Sequence, residues 1–166
     1  MRVAAGTVRT SIGGLRSLLV DIYPPSLAET GLKPAIDDLV NGLRNRDIDV
    51  RLQVAEDFPT LDADSARLIF RVAQELLRNV AKHAQASVVE VRLAQDGPIL
   101  QLDIADDGIG FEPEKLLTAR GSGHFGLRLL TDAVAIVDAQ LAVRSTPGAG
   151  THWQLRVRPS ASVRQA

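Results

Sequence analysis

Residues 100–111, LQLDIADDGIGF, place two adjacent acids and two glycines at the end of an alternating apolar run. Asp and Gly are ordinary turn residues, but strand parity separates the two acids. Side chains two apart in a strand share a face. Asp106 is therefore in step with Leu100, Leu102 and Ile104 and points toward the core, whereas Asp107 points away. A buried carboxylate is costly unless a donor meets it, and that donor must come from the protein or from a ligand. Thr151 shares parity with Trp153, Leu155 and Val157, so its hydroxyl also faces inward. Asp106 and Thr151 on neighbouring strands, with Gly108 and Gly110 permitting close approach, have the chemistry of an adenine pocket: an acceptor for the exocyclic amine and a hydroxyl beside it.

A second constellation lies in RVAQELLRNVAKHA, residues 71–84. At helical periodicity, Ile69, Val72, Ala73, Leu76, Val80 and Ala84 form an apolar arc, with Arg67, Arg71, Gln74 and Arg78 on the opposite, solvated side. Glu75, Asn79 and Lys82 fall in a column at i, i+4 and i+7 along one border of that arc, and His83 projects just inside it. A salt-laced surface edge would explain a single Glu–Lys pair, but it leaves Asn79, a poor helix former, unexplained. A carboxylate and an amide oxygen are the hard ligands that Mg²⁺ prefers, and Lys82 can offset phosphate charge.

The third stretch is GSGHFGLRLL, residues 121–130. Gly121, Gly123 and Gly126 match G-x-G-x-x-G, but no strand precedes them and no βαβ unit surrounds them, so a dinucleotide fold fails in context. What remains is a glycine-rich segment feeding a helix N-terminus, whose free N–H groups attract phosphate. Alone this is weak, since glycines before a helix are usually just a loop.

The elements that must position these residues read as follows. Val8, Ile12, Leu15, Leu19 and Ile22 recur at helical spacing as a narrow stripe, suited to a helical hairpin or a two-chain seam, and Pro24-Pro25 end it. A helix over 33–44 precedes an alternating strand over 48–54. Asp62 or Asp64 can cap a long helix running to His83. Strands over 87–94 and 99–105 flank a turn at Asp96-Gly97-Pro98. After a loop with one helical turn, a helix is expected over 126–137. Strands over 141–145 and 151–158 then flank Pro147-Gly148-Ala149-Gly150. Helices interleaved with a mixed, mostly antiparallel set of strands predict a two-layer α/β sandwich with its helices on one face.

The bulk properties narrow the function classes. The chain has 166 residues, 45% of them hydrophobic, and a net charge of -1, which gives no electrostatic case for a nucleic-acid partner. The absence of cysteine excludes disulfides and thiolate metal sites, and it fits a reducing, cytoplasmic setting. No apolar run approaches membrane-spanning length, so no membrane contact by this chain is expected.

Together, the three stretches resemble the boxes of a known ATP-binding domain. ELLRNVAKHA is similar to the asparagine box of sensor histidine kinases, DDGIGF to their first glycine box and GSGHFGL to their second. STPGAGT with its closing strand is similar to that domain's end, and the order and spacing agree. The resemblance covers roughly residues 26 to 158. The superfamily has the Bergerat fold and includes gyrase-type, mismatch-repair and chaperone ATPases. LLVDIYPPSLAETGLKPAI resembles the second hairpin helix and linker of the nitrate/nitrite-sensor subfamily, whose partners are helix-turn-helix response regulators.

The resemblance implies ATP and Mg²⁺ as ligands, with Asn79 holding the metal and Glu75 assisting there or polarising the attacking group. Lys82 and His83 would lie near the phosphates, Asp106 would accept from adenine, Gly108 and Gly110 would shape the base pocket, and Thr151 would contact the base edge. Gly121, Gly123, His124, Gly126 and Leu127 would form the lid. It also implies three parts: residues 1–25 as a partial dimerisation helix and linker, 26–158 as the catalytic domain and 159–166 as a flexible tail. The family's phosphoacceptor histidine sits in an acidic context in the first hairpin helix, and none of His83, His124 and His152 has that context. The chain thus reads as a piece of a longer kinase or a degenerate short relative. It would act on a histidine-bearing hairpin within a homodimeric parent. A serine-directed kinase of the anti-sigma type and a non-catalytic interaction module on the same fold are the alternatives.

Overall fold

The computed structural model describes residues 27, 30–56, 58, 59, 61–114, 134 and 138–159. Helix α1, Leu32–Arg44, turns Leu32, Ala35, Ile36, Val40 and Leu43 inward, the i, i+3, i+4 recurrence of an amphipathic helix. At its end the Arg44 guanidinium donates to the Val50 carbonyl at 3.0 Å, tying α1 to the first strand.

Helix α2, Ala63–Asn79, is capped by Asp62, whose carboxylate accepts from the Ser65 amide at 2.9 Å and the Ser65 hydroxyl at 2.7 Å. Burial raises the Asp62 pKa, but those two bonds, with the Asp64 and Asp62 amides, outweigh it and leave the group below its ordinary value. The helix is buried more widely than the sequence arc suggests. Phe70 and Leu77 are buried along with Ile69, Val72, Ala73 and Leu76, because α2 packs against α1 as well as the sheet, and Leu68 is buried on the opposite flank. Gln74, expected on the solvated side, is accordingly half-buried beside α1. After Asn79 the chain widens into a π-turn, Val80–Ala84, which ends at Gln85 in the left-handed region with φ 53°.

Five strands form one sheet in the order β1-β2-β3-β5-β4: β1 Asp49–Val54, β2 Val88–Asp96, β3 Ile99–Asp106, β4 Ala139–Ser145 and β5 Thr151–Val157. β1 and β2 run parallel and the other neighbours antiparallel. A parallel pair needs a crossover, and α2 supplies it. The crossover lays α2 on one face of the sheet, which buries Val50, Val89, Val91, Leu93, Leu100, Leu102, Ile104, Leu155 and Val157. The other face carries Arg51, Gln53, Glu90, Arg92, Gln101, Asp103, His152 and Gln154. The expected sandwich is the observed one.

No helix among the described residues is long and apolar enough to cross a membrane. The N-terminal stripe over 8–22 and the tail from 160 onward lie outside the described residues. Of the helix expected over 126–137 only Val134 is described, helical and buried.

Candidate functional site

The inner face of the sheet changes character at one end. Its registered rows are apolar through Leu93, Leu102, Leu155 and Leu141, then through Val91, Ile104, Trp153 and Val143. The next row is Val89, Asp106, Thr151 and Ser145. Asp106 and Thr151 are thus direct cross-strand partners on the helix-bearing face, where period-two parity puts them.

Thr151 is buried, and its hydroxyl lies 3.1 Å from the Ser145 hydroxyl. Ser145 Oγ also donates to the Gly150 carbonyl at 2.9 Å and accepts from the Phe111 amide at 2.9 Å. Asp106 Oδ1 accepts from the Gly108 amide at 2.9 Å. Burial raises the Asp106 pKa above the ordinary carboxylate value. The Gly108 amide opposes this, the Asp107 charge adds to it, and the Thr151 amide opposes it again.

Asp107 has the opposite role. It faces out, and its Oδ1 accepts from the Ser87 and Val88 amides at 2.8 and 2.9 Å, which clamps the start of β2. The Val88 amide is the leading cause of a pKa below the ordinary value. Adjacent in sequence, the two acids differ because the pleat sends one inward and the other to a neighbouring backbone.

The glycines let the loop after β3 sit against its supports. Gly108 is buried, and a side chain there would fall on the Ala84 carbonyl. That carbonyl accepts from the Ile109 amide at 2.8 Å, joining the loop to the end of the π-turn. Gly110 has φ +59°, and a side chain there would fall on the Thr146 carbonyl. The Ile109 carbonyl in turn accepts from the Gly148 amide at 2.7 Å. The loop is therefore fixed between the helix end and the β4–β5 hairpin, with Ile109 exposed to 51%. Phe111 packs on Trp153 with ring centroids 6.3 Å apart.

The helix end departs from its projection. Asn79 is half-buried and makes no side-chain cap bond. Glu75 accepts from Arg78 at 3.1 Å, the salt-laced edge that the sequence also allowed. Lys82 lines a groove against α1 instead of continuing the Glu75–Asn79 column. His83 is exposed, not just inside the apolar border. The cause is the π-turn: its i→i+5 pattern advances each residue by less than an α-helix does, so the 100° projection fails beyond Asn79.

Gly121, Gly123, His124, Gly126 and Leu127 lie outside the described residues. Among the described residues no group of three or more His, Asp or Glu side chains could hold a metal. Asn79 and Glu75 offer one amide oxygen and one carboxylate, two hard donor groups, which suits a Mg²⁺ ion that keeps water and phosphate oxygens as its other ligands.

Two contributors went unread in the sequence. Ser145 shares parity with Leu141 and Val143, so its inward hydroxyl was legible from the same rule that selected Thr151. The Ala84 carbonyl had no sequence signal, because it depends on the π-turn.

Comparison with known proteins agrees with the geometry. Residues 63–161 match the family described as histidine kinase-, DNA gyrase B- and HSP90-like ATPase. The sensor histidine kinase NarS of Mycobacterium tuberculosis is 31% identical over 138 residues, covering 83% of this chain and 32% of NarS. ComP, a sensor histidine kinase of Bacillus subtilis, is 31% identical over 131 residues, covering 78% of this chain and 17% of ComP. The chain thus spans a third or less of these two relatives. The histidine kinase domain of the Erythrobacter litoralis blue-light-activated kinase superposes with a TM-score of 0.64 at 21% identity, covering 78% of this chain and 59% of that one. At that identity the likeness speaks for the fold.

Proposed function

We propose, from the premise that this chain belongs to the family of histidine kinase-, DNA gyrase B- and HSP90-like ATPases, that it is the Mg-ATP-binding catalytic part of a two-component sensor histidine kinase. In this reading residues 26–158 are the catalytic domain and residues 1–25 the end of a dimerisation hairpin and its linker. The γ-phosphate goes to a histidine on that hairpin, outside this chain, for relay to a helix-turn-helix response regulator. The observation that carries the reading is the polar row at the end of an otherwise apolar sheet face. A half-buried Asp106 stands directly beside buried Thr151, under a loop whose glycines allow close approach.

Each side chain has a task. Asp106 accepts from the adenine amine, with Oδ1 already oriented by the Gly108 amide. Thr151, held by Ser145, contacts the base edge. Exposed Ile109 offers apolar surface beside the pocket. Asn79, free of a capping bond, is the Mg²⁺ ligand, with Glu75 assisting once it leaves Arg78. The metal would supply charge neutralisation along the phosphates. Lys82 and His83, both exposed, reach the phosphates from the π-turn, and the lid is Gly121, Gly123, His124, Gly126 and Leu127.

Transfer breaks the bond between the γ-phosphorus and its bridging oxygen and forms a P–N bond on the acceptor imidazole, leaving ADP. Catalysis of such a step is chiefly positioning plus charge stabilisation, so the chain needs an acceptor delivered in line. Incubation with γ-labelled ATP should leave this chain unlabelled. Adding a histidine-bearing hairpin in trans should label the hairpin, and Asn79→Ala should abolish the label. Label on a serine of a target protein, or on this chain itself, would contradict the reading.

A further inference from the structure

The groove between α1 and α2 lies on the flank of α2 away from the polar row. One wall is Leu39, Gly42, Leu43 and Arg46, and the other is Gln74, Leu77, Arg78, Ala81 and Lys82. Each wall is a single helical stripe at spacings of three and four residues, continued by Arg46 just past α1 and by Ala81 and Lys82 in the π-turn. The cavity is about 220 Å³, below the 300–1,000 Å³ or so of small-molecule sites and of a size for one or two inserted side chains. Its floor is apolar and its rim carries Arg46, Arg78 and Lys82. Only Arg78 has an acidic partner among the described residues, Glu75.

Gly42 is the second observation. It stands inside α1, where glycine is unfavourable relative to alanine, and a side chain at this position would meet nothing within 4 Å. No contact within the described residues requires a glycine there. Its lack of a side chain keeps the groove open.

We propose that this groove docks an acidic, amphipathic helical segment of a protein partner, which inserts an apolar side chain over Gly42 and sets carboxylates against Arg46 and Lys82. The occupant follows from the charge: two cations without acidic partners among the described residues flank an apolar floor, and an anionic segment satisfies both. The groove faces α1, and of its lining only Lys82 is also assigned to the phosphates in the proposed function, so the test variants are taken from the α1 wall.

The test is fluorescence anisotropy with a labelled peptide of about 20 residues, long enough to hold a helix, bearing Leu on one stripe and Glu elsewhere. A Lys-for-Glu twin is the control. The Glu peptide should bind and the Lys twin should not, and added salt should weaken binding. Arg46→Glu and Gly42→Leu should each lower affinity at least tenfold while leaving ATP affinity unchanged, which separates this test from the proposed function. Gly42→Ala should raise Tm, since the groove has room for a methyl group. Equal binding of both peptides, affinity indifferent to Arg46→Glu and Gly42→Leu, or a lower Tm for Gly42→Ala would overturn the proposal. So would sedimentation showing self-association that Gly42→Leu abolishes, which would assign the groove to a second copy of this chain.

Discussion

Asp103 and Asp106 lie three residues apart on β3, both partly buried, and the fold treats them in opposite ways. On the outer face burial raises the Asp103 pKa, but Gln101, Gln154 and His152 outweigh it and hold the group below its ordinary value. The contacts are 2.7, 3.0 and 3.1 Å, all from side chains of the sheet itself. On the inner face Asp106 has only backbone amides among the described residues, and its pKa stays raised. A carboxylate can accept several hydrogen bonds. Three side chains satisfy Asp103, whereas Asp106 keeps acceptor capacity that the described residues do not use. In the proposed function, that unused capacity at the end of an apolar face is what the adenine amine would take up.

The largest expected effect breaks the support beneath Asp106. Gly108→Ala places a methyl group on the Ala84 carbonyl and against Asp106. It should cost about 3 kcal/mol of stability, read by urea denaturation with ATP absent. A neutral result would mean that the loop can move off the helix end freely.

Next comes Asp106→Asn, which turns part of the acceptor into a donor facing the adenine amine. Nucleotide affinity should fall by about 1–3 kcal/mol, with stability of the free protein within about 1 kcal/mol of the parent. Asp103→Ala should show the reverse: about 1 kcal/mol of stability lost as His152 and Gln154 lose their acceptor, with ATP affinity intact. Thermal melts and ATP titrations of both variants make the comparison, and matching profiles would erase it.

The two acids should also bend the pH dependence in opposite directions. Asp103, with a lowered folded pKa, stabilises the fold above its unfolded value of 3.8 and loses that contribution as pH falls through the folded value. Asp106, with a raised folded pKa, is costly when ionised and gains relative stability as pH falls through its folded value. Melts across an acid series should show a shallower acid loss for Asp103→Asn and a steeper one for Asp106→Asn than for the parent. The smallest effect belongs to Asp107→Asn. Its exposed clamp on β2 should be worth about 2 °C in Tm, with ATP affinity unchanged.

How far the sequence could be read depended on the regularity of each element. In β3 and β5 an alternation of period two, held in register by short turns, led directly to Asp106 facing Thr151. Ser145 obeys the same rule, but a lone serine at the end of an apolar alternation carries no chemical signal until Thr151 is set beside it. In α2 the helical projection held through Asn79 and found its sheet-facing side. It then missed the second flank, because packing against α1 buries Leu77 and part of Gln74. Beyond Asn79 the π-turn spoiled the angles of Lys82 and His83. Nothing local in VAKHA announces a wider turn, since the turn joins α2 to a loop nearly 25 residues further along the chain.

The most direct test of the account is a calorimetric comparison of Mg-ATP with Mg-GTP on the intact chain. Guanine places a carbonyl where adenine has its amine, so it sets an acceptor against the Asp106 carboxylate, and a site built to bond a donor rejects such a ligand strongly. ATP should bind and GTP should bind at least about 100-fold more weakly, a preference that narrows in Asp106→Asn and persists in Asp107→Asn. Equal affinity for the two nucleotides, or no binding of either, would contradict it.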